Sequence, residues 1–399
     1  MGRFRLNPTP AQQVLLLEQC GHARFVWNLG LEQRLLWRRE RGPTPCYKAQ
    51  CSQLTEARAA NPWLAAGSQT VQQQALRDLD QAWKYFFART HKRPTWRKQG
   101  VHEGFRIVGA QALRVRQDNN HWSSVLVPKV GWVRFKRSRE LPDWKSYRIT
   151  RDRAGRWHIA FAAIPEPLAG PGTGQIVGVD RGVTVAVALS TGEMTSPAGL
   201  RPKEAERQLR LQRRLARAQP GSHRRVKLKA QLARISAREV DRRRDWVEKT
   251  STYLARSFDV IGFEDLKVAR MTRSARGTLA APGRNVAQKA GLNRGILQAG
   301  WSLVVTRTEH KALSRVVRVD PAFTSQTCFV CRHIAKESRK SQAHFCCVAC
   351  GYRAHADVNS AQIVRDRTTA AGHAVAARRD TAALGRSVKR EPQLATSLR

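Results

Sequence analysis

The sequence predicts a multidomain α/β protein, with N-terminal helices beside a small antiparallel barrel and a second α/β half that carries a cysteine-rich insertion. Three observations predict it. Apolar residues recur with helical period up to about Arg89, alternate with period two from Leu113 to Ile164, and then form isolated β runs between basic helices. Cysteines are paired as Cys328-x-x-Cys331 and Cys347-x-x-Cys350. The formal net charge is +42, from 72 Lys+Arg against 30 Asp+Glu.

At 399 residues the chain has room for several domains with sizeable cores. So large a cationic excess repels itself unless a polyanion neutralises it, and the basic residues are spread along the whole chain. That distribution predicts an extended phosphate-binding surface. No membrane is expected as a partner, because no apolar run is long enough to span one, and MGRFRLNPTP lacks the apolar region of a signal peptide. Thiols at metal-binding spacing without a disulfide framework predict a reducing compartment. Cys20, Cys46 and Cys51 read as buried small hydrophobes on helices.

Taking the elements in order, Thr9-Pro10 is an N-cap followed by proline at the first helical position. A helical pattern runs from there to about Arg41, with a break expected near Gly21. A second helix is expected from Gln69 to Arg89, with Val71, Ala75, Leu79, Ala82 and Phe86 on one face and Gln72, Gln73, Arg77 and Lys84 on the other. The polar face reads as solvated; contact with nucleic acid is the alternative, since glutamine can read a base edge and arginine can pair with a phosphate. LRVRQ, SVLVP, GWVRFKR, SYRIT and WHIAFAAI then read as strands of an antiparallel barrel or curved sheet. Pro165 to Gly174 reads as a linker.

A new domain is expected at Gln175. IVGVD is a β run ending in Asp180, and VTVAVALS reads as its hairpin partner, an arrangement typical of RNase H-like folds. From Arg201 to Asp245 two helical stretches with thin apolar seams flank Pro220-Gly221-Ser222. Their arginine density, with Arg213, Arg214, Arg224 and Arg225 as candidates, favours phosphate contact over a merely solvated face. FDVIGFEDL is a buried strand ending at Glu264, followed by a mobile loop from Arg270 to Arg284, a helix around Asn293 to Lys311 and the strand SRVVRVD. Asp357 heads a final helix, and the tail from Thr368 is expected to be disordered.

Two C-x-x-C pairs separated by a polar loop of 15 residues supply four thiolates, the composition and spacing of a structural zinc site. Without metal that loop has little reason to fold. Cys346 is an alternative to Cys347 as ligand, but Cys347 keeps the two-residue gap to Cys350. Asp180, Glu264 and Asp357 stand at the ends of two strands and the head of a helix. Brought together, three carboxylates repel unless a cation joins them, and oxygen ligands suit magnesium. Singly, each acid reads as a cap or a surface ion pair.

GVDRG, GFEDL, VDPAFTSQTC-x-x-C, F-x-C-x-x-CGY and HADVNSA together resemble the TnpB family, transposon-encoded nucleases related to type V CRISPR effectors. The resemblance is strongest from Gln175 to about Arg365 and covers most of the chain. It implies an RNA-guided DNA endonuclease whose partners are a guide RNA and double-stranded target DNA, in the bacterial cytoplasm and associated with the nucleoid. It implies a RuvC-type nuclease domain at 175–325 and 354–367, using Asp180, Glu264 and Asp357 with two magnesium ions. A zinc-binding segment at 326–353 would handle target nucleic acid. A wedge β-barrel at 1–10 and 95–170 would be interrupted by a helical recognition domain at 11–94, with a tail at 368–399. The family reads a short motif beside its target, for which Gln73, Gln74 and Arg77 are candidates. Arg332 stands where the family has glycine after the first C-x-x-C, and Cys346 is extra. Two other readings remain: a guided DNA-binding protein that does not cut, and a transposase that joins DNA ends.

Overall fold

The structure, a computed structural model, describes residues 2–38, 40 and 42–383. Packing divides them into two compact units: residues up to Pro165 with Pro202–Ala237, and Glu166–Arg201 with the residues from Arg238 onward. The chain opens with β1 (Gly2–Asn7), α1 (Pro10–Leu35), α2 (Tyr47–Ala60), α3 (Pro62–Ala66) and α4 (Gln69–Phe87). It continues through β2 (Gly104–Val108), β3 (Val115–Gln117), β4 (Trp122–Val127), β5 (Gly131–Lys136), β6 (Ser146–Arg151) and β7 (Trp157–Phe161).

Helix α1 begins as its sequence requires. The Thr9 hydroxyl accepts a hydrogen bond from the Gln12 amide (3.3 Å), and the Gln12 side chain accepts one from the Thr9 amide (3.1 Å). The expected break at Gly21 is absent. Leu16, Cys20, Ala23, Val26, Trp27 and Leu31 form one unbroken buried face across it, and such packing outweighs the ~1 kcal/mol helix penalty of a glycine.

The seven strands lie in the order β2-β6-β7-β1-β5-β4-β3, all antiparallel, with the N-terminal strand in the middle. The sheet curls strongly: the Tyr147 hydroxyl on β6 donates to Leu126 O on β4, four strands away, at 3.1 Å. No ladder joins β2 to β3 among the described residues. Phe4, Phe135, Tyr147 and Phe161 fill the concave side, and the same core continues into Leu16, Leu31 and Leu79 of the helices. The division expected at residues 10 and 95 therefore does not appear as a break in packing.

After β7 come β8 (Ile176–Asp180), β9 (Val187–Leu189), β10 (Met194–Thr195), α5 (Pro202–Ala216), α6 (His223–Ser257) and β11 (Val260–Glu264). Then follow α7 (Val268–Met271), α8 (Val286–Ala299), α9 (Trp301–Ala312), β12 (Val316–Val319), β13 (His344–Cys346), β14 (Arg353–His355) and α10 (Ala356–Ala383). The second sheet has the order β10-β9-β8-β11-β12, with β8, β11 and β12 parallel and β9 antiparallel to β8. Its core is Val177, Val179, Val187, Ile261 and Phe263 against Leu254, Val304 and Val305.

Several expectations shift. The hairpin partner of β8 shortens to Val187–Leu189. The helix expected around 293–311 is two helices, split where Gly300 turns left-handed at φ +73°. The loop at 270–284 is pinched by a Gly277–Pro282 bridge. Residues 166–174 are tied down: Leu168 N donates to Lys311 O at 2.7 Å, and the Gly172 and Gly174 amides donate to the Asp259 carboxylate. The tail expected from Thr368 is helical as far as Ala383, with Thr368 fully buried, and the rest of that expectation, residues 384–399, lies outside the described residues. No described helix is long and apolar enough to cross a membrane.

Candidate active site and thiolate cluster

Strands β8 and β11 run parallel in register, Gly178 beside Gly262 and Val179 beside Phe263. Asp180 and Glu264 therefore end neighbouring strands, at the carboxyl edge where parallel sheets place their reactive groups. The two glycines do as much for the site as the acids. Helix α10 crosses directly over them: a Cβ on Gly178 would stand 2.0 Å from Ala361 O, and one on Gly262 1.8 Å from Thr368 Oγ1. This close approach carries Asp357, in the first turn of α10, toward the two strand ends. An anion at that position also meets the positive end of the helix dipole.

Two of the acids are held by named side-chain partners. Glu264 is 6% exposed and accepts a hydrogen bond from Thr324 Oγ1 at 2.5 Å. The buried Arg181 guanidinium donates to the main-chain oxygen of Glu264. Asp357 is 4% exposed, and its Oδ1 accepts from Arg339 at 3.1 Å. Asp180 keeps some exposed surface, but its surroundings are dense. Burial, then the nearby Glu264 and Asp357, push its carboxyl up to about 8. Burial also raises Glu264. A carboxyl raised by burial and by neighbouring acids, as Asp180 is, favours a cation beside it, and carboxylate oxygens are the donors that suit a hard divalent ion.

The four cysteine sulfurs all lie within 4.8 Å of one another, with Cys328–Cys350 at 3.7 Å and Cys331–Cys347 at 3.5 Å. A tetrahedron of thiolates about 2.3 Å from zinc has edges of about 3.8 Å, so the residues fit that metal. The amides of Cys350 and then Ala349 favour the Cys347 thiolate, lowering it to about 6. Cys346 lies on β13, outside the cluster. The cluster is coupled to Asp357 by short links. β14 ends at His355 and α10 starts at Ala356, while the Asn359 side chain accepts from Phe329 N (3.0 Å) and donates to Thr327 O (2.8 Å).

The other candidates separate by exposure. Arg77, Arg213, Arg214 and Arg224 are exposed. Arg225 is not free to bind, because its guanidinium donates to Leu215 O (2.9 Å) and Ala218 O (2.8 Å), closing the end of α5. On α4, Gln74 is 6% exposed and lies with the buried face, and Gln73 is partly covered. Gln72, expected on the solvated face, is fully buried and donates to Leu64 O at 2.8 Å. Of the remaining cysteines Cys20 is buried as expected, whereas Cys46 is exposed. Sequence reasoning missed Thr324, Arg181, Arg339 and the glycine pair, although all but Arg339 lie inside the quoted motifs.

Comparison with known proteins finds relatives along most of the chain. A family described as "Probable transposase" (OrfB of IS605) matches residues 158–275. A "Cas12f1-like, TNB domain" matches 301–364, and the helix-turn-helix domain of OrfB matches 2–43. The chain is 35% identical over 397 residues to "Putative RNA-guided DNA endonuclease InsQ" of Escherichia coli (strain K12), covering 98% of this chain and 96% of the relative. It is 30% identical over 411 residues to a "Putative RNA-guided DNA endonuclease" of Streptomyces pristinaespiralis, covering 99% and 96%. A Cas12f1 chain solved with single guide RNA and target DNA superposes with a TM-score of 0.51 at 14% identity, over 89% of this chain and 82% of that one. That last likeness is one of mixed α/β fold.

Proposed function

The chain belongs to the TnpB family of transposon-encoded proteins, and from that premise we propose that it is an RNA-guided, metal-dependent DNA endonuclease. The observation that carries the reading is the convergence of Asp180, Glu264 and Asp357 from β8, β11 and the head of α10. The strand order β10-β9-β8-β11-β12, with one antiparallel hairpin on a parallel core, supports a RuvC-type nuclease domain in this unit. The curled seven-stranded sheet supports a wedge barrel, and α1 to α4 a recognition domain.

Asp180, Glu264 and Asp357 would hold magnesium, which when bound activates water and stabilises the leaving oxygen of a phosphodiester. The chain's own residues do the positioning. Thr324 fixes one oxygen of Glu264, and Arg181 anchors the main chain at the end of β11. Cys328, Cys331, Cys347 and Cys350 would hold zinc and so fix the start of α10. In this reading base pairing with the guide selects the sequence, and the protein reads duplex shape and a flanking motif.

The test is to express the chain with its native flanking DNA, sequence the RNA that copurifies, and offer the complex a matching plasmid with magnesium. Cleavage that needs the matching sequence, and that Asp180→Ala abolishes, is the expected result. Guided binding without cleavage by the native chain would put the non-cutting reading first. Strand joining with only random RNA bound would favour a transposase, the activity that the "Probable transposase" description suggests.

A further inference from the structure

We propose that Trp301 is a positioning residue for the three carboxylates, holding through Gly182 and Leu266 the loops that follow Asp180 and Glu264. The inference rests on the reading of those acids as the metal-binding centre of a nuclease. Trp301 is 5% exposed and opens α9, immediately after the left-handed Gly300 that turns the chain out of α8. Helices α8 and α9 thus form an elbow, and both loops are fastened to it.

The loop after Asp180 is held by a hydrogen bond. The Trp301 indole donates from Nε1 to Gly182 O at 2.8 Å, the acceptor that a buried indole N–H requires. Gly182 is two residues past Asp180, and its own amide donates to Val185 O at 3.0 Å, which turns the loop back. It also lies beside the third acid: a Cβ on Gly182 would stand 3.7 Å from Asp357 Oδ2. Val183, next in the chain, presses on α8, where a Cβ on Gly295 would come within 2.7 Å of its Cγ1. Through one peptide unit, then, the indole reaches the surroundings of two carboxylates.

The loop after Glu264 is held by packing and by a second set of donors. Ala186, Ile296, Ala299 and Trp301 form one buried cluster, and Leu266 and Met271 pack against it. Leu266 N donates back to Glu264 O at 2.9 Å, so a shift of Leu266 pulls on the main chain of the acid itself. Further along, Lys289 Nζ donates to Met271 O (2.7 Å), and Asn293 Nδ2 to Thr272 O and Arg273 O (both 3.1 Å). These bonds fasten the carboxyl end of α7 to α8. One elbow thus grips both loops and fixes the spacing of the acids from behind, where an error of about 1 Å can cost on the order of a hundredfold in rate. Trp246 supplies the comparison. It packs against the same cluster, but its Nε1 donates to Thr195 Oγ1 (2.9 Å) on β10, not to an acid loop.

The matched pair Trp301→Phe and Trp246→Phe tests the role, since each removes one indole N–H from the same core. Both should lower the melting temperature of the full chain modestly and alike. Manganese binding to the RNA-free chain is read from the paramagnetic resonance of the free ion. Single-turnover cleavage of a matching plasmid by the guide-loaded chain is followed across a magnesium series. Trp301→Phe should weaken manganese binding about tenfold, the low end of what partners supporting metal ligands contribute, and raise the magnesium needed for half-maximal rate to match. Its rate at saturating magnesium should fall about tenfold as well. Trp246→Phe should keep the native values of all three. Native metal binding and rate in Trp301→Phe, or equal losses in the two variants, would reduce Trp301 to core packing and overturn the proposal. If Trp301→Phe does not fold, Asn293→Ala takes its place, because it frees only the carbonyls of Thr272 and Arg273. It should raise the metal requirement severalfold, and an unchanged requirement overturns the proposal. A native chain that binds manganese but makes no guided cut sinks the proposed function instead. The manganese arm alone then decides: weaker binding by Trp301→Phe but not by Trp246→Phe supports the positioning, and equal binding overturns it. A native chain that binds no manganese overturns it outright.

Discussion

The thiolate cluster and the carboxylate cluster are both tied to the start of α10, yet they are assembled differently. All four sulfurs come from Cys328 to Cys350, and the local backbone of each C-x-x-C turn already aims them at one point. The carboxylates come from Asp180 to Asp357, with nothing local to bring them together. Their meeting depends on β8 lying in register with β11 and on α10 passing within contact of Gly178 and Gly262. One cluster contributes to folding and the other is imposed by it. Removing a ligand should therefore have opposite effects in the two places.

Breaking that contrast begins with the acids. If the acids act as proposed, Asp180→Ala, Glu264→Ala or Asp357→Ala should remove several kcal/mol of charge stabilisation in the transition state, about a thousandfold in rate. The melting temperature in chelator should hold or rise, since a repelling charge is gone. Plasmid cleavage and thermal melting on the same samples check this, and an active variant would remove the carboxylates from the mechanism. Cys350→Ser should do the reverse. It opens the tetrahedron, lowers zinc content by metal analysis, and melts the segment because metal binding and folding are one equilibrium there. Activity then falls as a consequence, since α10 loses its Asn359 anchors to Thr327 and Phe329. Full zinc content in the variant would count against this ligand set.

Gly262→Ala tests the link between the clusters. Its new methyl would meet Thr368 Oγ1 at 1.8 Å, overpacking that typically costs ~1–3 kcal/mol, and α10 must move to admit it. Stability and cleavage should fall together while zinc content stays intact. A variant that keeps full cleavage would show that Asp357 is positioned by something other than the contact of α10 with the strands.

The same contrast explains what the sequence disclosed. The thiolates were legible because their chemistry lies in the spacing itself. The acids were legible as strand and helix ends, and period-two alternation exposed most of the first sheet. Gly178 and Gly262 were not, because a glycine in a strand reads as a weakness until the helix above it is known. Thr324 and Arg339 reach the acids from other parts of the chain, 60 residues from Glu264 in the first case and 18 from Asp357 in the second, and no periodicity encodes such reaches. Gln72 and Gln74 misled for a related reason: composition marks glutamine as a surface residue, whereas here Gln72 satisfies a buried carbonyl.

Asp180 sharpens the comparison through pH. Its folded carboxyl is raised to about 8 from an ordinary value of 3.8, so between those limits the native state binds more protons than the unfolded chain. Stability of the metal-free protein must then decrease as pH rises from 4 to 8. Asp180→Asn should remove that part of the slope, gaining stability over the native chain near pH 8 and little near pH 4. Melting curves in chelator at the two pH values read the difference directly, and parallel curves would mean the acids do not repel as drawn.

The smallest expected effect sets the two C-x-x-C turns against each other. Gly351 follows the second at φ +72°, and Arg332 follows the first at φ +62°, a backbone region that disfavours side chains by ~1–2 kcal/mol. Arg332 recovers part of that through an ion pair with Asp366 at 2.6 Å and by lying over the Phe329 ring at 5.0 Å. The pair is half exposed and worth at most ~1 kcal/mol, with the ring contact adding about 0.5 to 1. Gains and losses nearly cancel, so Arg332→Gly should shift stability by less than about 0.5 kcal/mol. Arg332→Ala keeps the strain and loses both contacts, so it should melt lower than the glycine variant by ~1 kcal/mol or more. Equal melting of the two variants would mean that the left-handed turn carries no strain, and that the arginine is held by its partners alone.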